Sequence, residues 1–158
     1  MFGKKKKVVF DLSSNIYIEP FSPNKSSNIL IFTSLVFITN IIAALYREHY
    51  LYAFFFFCLT ATSLIVHNYN NMYTNLIDKI SIFFIVTYGA YMLYCKSCGD
   101  NYVTVSIIVI TFLICVFLYV YGSLKNKYCF DPQIEIGNKY HGLLHFVGSL
   151  GHHLIIFL

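Results

Sequence analysis

The sequence predicts an all-α fold: a polytopic transmembrane helix bundle of about five spans. Three observations carry this. Of the 158 residues, 58% are apolar and only 11% charged, far from the average soluble domain. Apolar stretches near the ~20 residues needed to cross a bilayer recur along the chain. The connections between them are polar, as in "REH", "NYNNMYTN" and "KSCGDN". The length suits one domain, so residues 1–27 read as an N-terminal segment and 28–158 as the transmembrane helical domain.

The N-terminal segment opens with Lys4, Lys5, Lys6 and Lys7, the main source of the net charge of +4. Placed before membrane spans, this run reads as a cytosolic topology signal touching anionic lipid heads, not as a nucleic-acid contact. No cleaved signal peptide is expected, because the first long apolar run starts only near Asn28. The spans are expected at about 28–46, 50–67, 76–94, 103–121 and 140–158. The stretch "GSLKNKYCFDPQIEIGNK" before the fifth carries Pro132 and several charges and reads as a loop, with room for a short interfacial element, and not as a span. With five spans, Lys4–Lys7 and Lys25 fall on the same side as Lys125, Lys127 and Lys139, while the opposite loops hold only Arg47 and Lys96. The positive-inside rule then puts the N-terminus in the cytosol and the C-terminus on the lumenal or external side. The five cysteines form no secreted-type disulfide framework. Cys58 and Cys115 read as packing residues. Cys95 and Cys98 form a lone CxxC, which lacks the second pair a zinc site needs, and read as a local disulfide or free thiols.

The chemistry-bearing residues converge in depth. His67 ends the second span, with Ser63 one turn deeper on the same face. Asp78 lies in the first turns of the third span, and His141 and His145 in the first turns of the fifth. Three histidines with an open fourth position form a catalytic zinc pattern. Such a zinc acidifies water and polarises a carbonyl, a carboxylate serves as general base, and a serine hydroxyl holds the water or the developing oxyanion. The bland alternatives are equally concrete. An HxxxH pair at an interface snorkels to water, Ser63 is a helix-packing residue, and Asp78 beside Lys79 is an interfacial or helix-N-terminal carboxylate. His49, on the other side, reads as solvated. One of His152 and His153, deeper in the fifth span, is expected to hydrogen-bond to a neighbouring helix. The residues alone leave the metal and non-metal readings open.

The order and spacing of these residues resemble the alkaline ceramidases. The resemblance rests on "SLIVH" (Ser63 to His67), Asp78 eleven residues beyond His67, and "HGLLH" (His141 to His145). Those enzymes belong to a superfamily of membrane hydrolases with the adiponectin-type receptors and the GPI-processing membrane proteins, in which S-x3-H, an Asp and H-x3-H form an intramembrane zinc site. Asp11, Asn15, Glu19, Pro20, Ser27 and Asn28 echo the "EP/SN" stretch of ceramidase-like N-termini; its acidic residues are too sparse to predict calcium.

The resemblance implies that His67, His141 and His145 ligate Zn2+, that Asp78 orients or deprotonates the attacking water, and that Ser63 supports the water or the oxyanion. It implies a zinc-dependent amidohydrolase of a membrane lipid, first of all ceramide, giving sphingoid base and fatty acid in an endomembrane of the ER or Golgi type. His152 is expected at the substrate's polar head. The family has seven spans; here one span, not three, separates the Asp78 helix from the HxxxH helix. Losing two preserves direction but removes part of the pocket wall, which a homodimer could supply. A related ester or GPI-lipid hydrolase, a receptor-like protein with little turnover, and a purely structural membrane protein are the alternatives.

Overall fold

The computed structural model describes residues 28–97 and 101–158. The lysine run with Lys25, the Asp11–Ser27 match and Cys98 therefore lie outside the described residues, which contain helices and no strand. The helices are α1 (Asn28–Ser34), α2 (Phe37–Tyr46), α3 (Tyr50–Asn68), α4 (Met72–Lys96), α5 (Tyr102–Val116), α6 (Gly122–Lys125) and α7 (Ile134–Phe157). Four stretches are long and apolar enough to cross a membrane: Asn28–Tyr46, Tyr50–Asn68, Met72–Lys96 and Tyr102–Phe130. The chain is a multi-pass integral membrane protein. The fifth expected span corresponds to α7, 24 residues long. It is not among those four, and its histidines, glycines and Lys139 supply the polarity.

The first span is one rod with a tightened turn. Thr33 and Ser34 both donate their hydroxyls to Leu30 O, at 3.2 and 2.8 Å. Such back-bonding bends helices, and the backbone between α1 and α2 switches to i→i+3 bonds such as Leu35 N to Phe32 O and Val36 N to Thr33 O. The third span starts at Met72, earlier than hydropathy suggests, because Asn71 and Thr74 form a reciprocal capping box. The stretch expected as a loop before the fifth span is largely ordered. A π-helical segment (Phe117–Tyr121) carries α5 into α6, a 3-10 turn covers Tyr128–Phe130, and α7 begins at Ile134. Asn126, left-handed at φ 51°, ends α6. Gly122 permits the tight return: a Cβ there would lie 2.7 Å from Lys127 O.

Helix α7 is the centre of the bundle and packs against α1, α2, α4 and α5. Small residues allow the approach. A Cβ at Gly142 would press on Thr33 Cγ2 at 3.2 Å, and one at Gly151 would collide with Thr111 Oγ1. Asn40 of α2, fully buried, ties the two helices: its Nδ2 donates to Ser149 O at 3.0 Å and its Oδ1 accepts from Ser149 Oγ at 2.5 Å. Asn40 Nδ2 also lies 2.8 Å from His153 Nδ1. At the far end, Lys96 Nζ donates to Ile155 O and Ile156 O at 3.1 and 3.0 Å and so caps the last turn of α7. Its third contact is His49 Nε2 at 3.0 Å. His49 is thus half-buried and lysine-bound rather than solvated. Burial first, then the charges of Lys96 and Arg47, hold its pKa below the ordinary 6.5.

Helices α2 and α3, and α3 and α4, pack as consecutive neighbours, and α5 packs on α7. Helices α4 and α5 follow one another in sequence without close packing. Between them lies a cavity of about 390 Å3 whose floor is α7 and whose lining includes Leu59, Ile85, Val86, Ile108 and Phe112.

Candidate metal centre

His67, at the end of α3, meets His141 and His145 from the third and fourth turns of α7. One ligating atom from each lies within 4.8 Å of the others. The ring centroids are 5.1 Å apart for His67–His141, 5.4 Å for His67–His145 and 5.0 Å for His141–His145. The two α7 histidines share a face by their i, i+4 spacing, and His145 is buried.

Two features make this triad more than a cluster of core histidines. His67 Nε2 is buried and has no hydrogen-bond partner within the protein, and an orphaned buried polar atom is costly. His145 Nδ1 lies 2.9 Å from Thr33 Oγ1. The Thr33 hydroxyl proton is committed to Leu30 O, so Thr33 accepts from Nδ1–H, and the lone pair of His145 sits on Nε2. A ligating histidine is usually oriented this way, by a partner on its other ring nitrogen. A divalent metal with nitrogen ligands fits these donors: three neutral imidazoles, one tautomer set by Thr33, one acceptor left over.

Ser63, one turn before His67 on α3, is buried and lies 3.0 Å from Ser34 Oγ. Because Ser34 donates to Leu30 O, Ser63 is the donor in this pair and keeps its oxygen lone pairs. Asp78 of α4 is buried and borders the same cavity as Ser63, His141 and His145. It is not within the ligand cluster of the three histidines. Its Oδ1 accepts from Thr62 Oγ1 at 3.4 Å and its Oδ2 from Lys79 Nζ at 3.3 Å. His152 stands apart from the triad, seven residues and so about 10 Å further along α7. It also borders the cavity, where its Nδ1 lies 2.5 Å from the hydroxyl of the fully buried Tyr52. Its ring is set edge-on to Tyr52 and Phe56. Both deep histidines thus bond to a neighbouring helix, His152 to α3 and His153 to α2.

Sequence reasoning missed Thr33, Ser34 and Tyr52. Thr33 and Ser34 are adjacent hydroxyls in an otherwise apolar span, a signal visible in "IFTSLVF". Nothing marks Tyr52 among 14 tyrosines. The CxxC is divided: Cys95 is an exposed free thiol on α4 and Cys98 lies outside the described residues. No family model, no curated protein and no solved structure matches the chain.

Proposed function

We propose that the protein is a zinc-dependent intramembrane hydrolase of a lipid amide, ceramide being the first substrate to try. One observation carries this: three imidazoles from two helices converge, with His67 Nε2 buried and unpartnered, at the edge of an apolar cavity bordered by a buried carboxylate. His67, His141 and His145 would hold the zinc, which when bound supplies a Lewis acid for the carbonyl and acidifies water at neutral pH. The rest falls to the chain's own side chains. The Asp78 carboxylate takes the proton of the attacking water and passes it to the leaving amine. The Ser63 oxygen, whose proton goes to Ser34, accepts from the attacking water and steadies it. The apolar lining holds the acyl chain and keeps bulk water out, and His152 with Tyr52 offers a polar contact further along.

The opening between α4 and α5 supports lateral entry of a lipid from the bilayer. Two spans of the seven-span family are missing between the Asp78 helix and the HxxxH helix, and a second copy of the chain is the proposed replacement for the wall they would supply. The proposed site would lie near the cytosolic face, with the N-terminus cytosolic, on the lysine distribution, and in an endomembrane on the ceramidase resemblance. A second reading, a metal-holding protein that binds lipid with little turnover, is favoured by two contacts: Thr62 and Lys79 each engage one oxygen of Asp78.

The test is metal content of the detergent-purified protein by elemental mass spectrometry, beside a His141→Ala/His145→Ala double variant. The expected result is about one zinc per chain, lost in the variant, and release of fatty acid from ceramides by the wild type. Zinc without product selects the second reading; no zinc in well-folded protein refutes both.

A further inference from the structure

Charged groups bordering the cavity satisfy one another at one end. Lys79 Nζ contacts Asp78 Oδ2 at 3.3 Å and sits 5.1 Å from the ring centroid of Tyr119, on the π-helical segment. Further along α7 the cavity is bordered by His152, where the lining also includes Gly89, Leu93 and Ile155. The hydrogen bonding of this histidine can be assigned. Its Nδ1 lies 2.5 Å from the hydroxyl of Tyr52, which is fully buried and has no second hydrogen-bond partner among the described residues. Were Nδ1–H the donor, the phenol proton would be left without an acceptor in a dry interior. Tyr52 therefore donates, Nδ1 accepts, and the proton of the neutral ring sits on Nε2. None of the described residues bonds to that Nε2. Among them the one side-chain atom both buried and unpartnered is His67 Nε2, so Nε2 of His152 keeps access to open space, and the open space beside His152 is the cavity. The ring is held in place. It lies edge-on to Tyr52 and Phe56, and α4 approaches it at Gly89, where a Cβ would come within 2.9 Å of both His152 Cε1 and the Tyr52 oxygen. A fixed N–H donor on the wall of an apolar chamber is costly unless the occupant brings an acceptor.

We propose that His152 determines substrate choice by bonding an oxygen in the middle of the acyl chain, so that amides of mid-chain hydroxy or keto fatty acids are taken in preference to plain ones. This deepens the proposed function and rests on its placement of the reacting carbonyl at the histidine triad. From His145, the nearest of the three in sequence, His152 lies seven residues, about 10 Å, along α7. An extended chain advances about 1.2 Å per bond, so the donor meets the acyl chain near its ninth carbon. The hydroxyls of a ceramide head lie three to four bonds from the amide, about 5 Å at most, and do not reach so far. His152 thus moves from the polar head, where it was expected, to the chain. Tyr52 does not line the cavity and is the positioning residue: its proton keeps the ring in the Nε2–H form.

The experiment is displacement of tritiated octadecanoyl ceramide from the detergent-purified full chain. The unlabelled competitors are the plain ceramide, its ninth-carbon hydroxy and keto forms, and its second-carbon hydroxy form. In the wild type the two ninth-carbon forms should displace at about fivefold lower concentration than the plain lipid, the gain of one hydrogen bond. His152→Phe should abolish that gain and leave the effect of the second-carbon hydroxyl as it was. Tyr52→Phe should separate the two ninth-carbon forms. A hydroxyl donates or accepts and suits either tautomer, whereas a ketone only accepts and loses its gain once the Nε2–H form is no longer fixed. A merely structural Tyr52–His152 pair would move neither ratio. Equal displacement by the plain and ninth-carbon forms in the wild type overturns the proposal. So does a gain that survives His152→Phe, a gain confined to the second carbon, or a lack of saturable ceramide binding. Displacement needs no turnover, so the series on chelated protein, beside an assay of fatty-acid release, separates this inference from the hydrolase reading. Release with no ninth-carbon gain leaves the hydrolase standing and removes the chain contact. A His152-dependent gain in protein that holds no zinc and releases nothing removes the hydrolase and keeps the contact.

Discussion

Thr33 offers the sharpest test of the proposed metal centre because it reaches the triad only through His145. Its hydroxyl donates to Leu30 O and accepts from His145 Nδ1 at 2.9 Å, and its Cγ2 packs against Gly142. Thr33→Val keeps the methyl packing and the volume but removes both hydrogen bonds. Leu30 O still accepts from Ser34, so the loss falls on His145, which is 4% exposed and cannot turn to water. Leaving that ring nitrogen unpaired costs about 1–3 kcal/mol of stability. Removing the partner of a ligating histidine typically lowers metal affinity about 10- to 100-fold, equivalent to about 1.4–2.7 kcal/mol. Thr33→Ser keeps the hydroxyl and should stay close to wild type. The assay is zinc competition against a chromophoric chelator in detergent, with thermal unfolding of the chelator-treated proteins alongside. A valine variant that binds zinc as tightly as wild type would show that the Thr33–His145 contact does not orient a ligand.

Other expectations concern the bundle and its second polar layers. Gly151→Ala should destabilise strongly, since its Cβ would collide with Thr111 Oγ1; Thr111→Ala in the same chain should recover most of the loss, a non-additivity read by unfolding midpoints. Asn40→Leu should cost about 2 kcal/mol in denaturant titrations, since three interhelical bonds at about 0.6 kcal/mol each are lost and Ser149 loses a partner. The folded pKa of His49 is lowered by burial and by Lys96 and Arg47, so the unfolded chain binds more protons there. Its contribution to stability is full above the unfolded value of 6.5 and is lost as the pH falls from there through the lower folded value. The difference in melting temperature between wild type and His49→Gln should shrink as pH drops from 8 to 5; a constant difference would refute the neutral-imidazole acceptor for Lys96.

All five expected spans correspond to helices, because apolar composition over a span's length is a long-range average that single residues hardly disturb. The errors came where local chemistry overrides that average. Met72 starts α4 because Asn71 and Thr74 satisfy its free amides, which hydropathy does not register. The stretch from Gly122 onward, read as a loop, is mostly helical: α6, the 3-10 turn Tyr128–Phe130 and the first turns of α7 occupy it. For the candidate site, spacing was enough to pair His141 with His145 and Ser63 with His67, because i, i+4 geometry is local. The partners across helices were not readable. Thr33 meets His145 across 112 positions of chain, and Ser34 meets Ser63 across 29; only the packed bundle sets those registers. Lys79 was visible beside Asp78, but its reach toward Tyr119 depends on the π-helical segment, which no periodicity announced.

The helix that carries most of the candidate chemistry is also the long helix left out of the four spans that are long and apolar enough. In a bilayer these two properties belong together. A helix facing lipid must be apolar all round, whereas a helix surrounded by other helices can carry His141, His145, Ser149, His152 and His153 if partners for them lie on its neighbours. Helix α7 meets that condition on three sides. Thr33 serves His145, Asn40 serves Ser149 and His153, and Tyr52 serves His152. The glycines that thin α7 bring those partners within reach, since a side chain at Gly142 or Gly151 would push α1 or α5 away. On the fourth side, toward the gap between α4 and α5, no helix among the described residues closes in, and the polar groups bordering the cavity there include Ser63, Asp78, Lys79, His141, His145 and His152. Polar groups satisfied by the bundle account for the interior three sides as architecture. His67 Nε2, buried and unsatisfied, faces His141 and His145, and those two border the open side, so a ligand for the proposed site would enter from there.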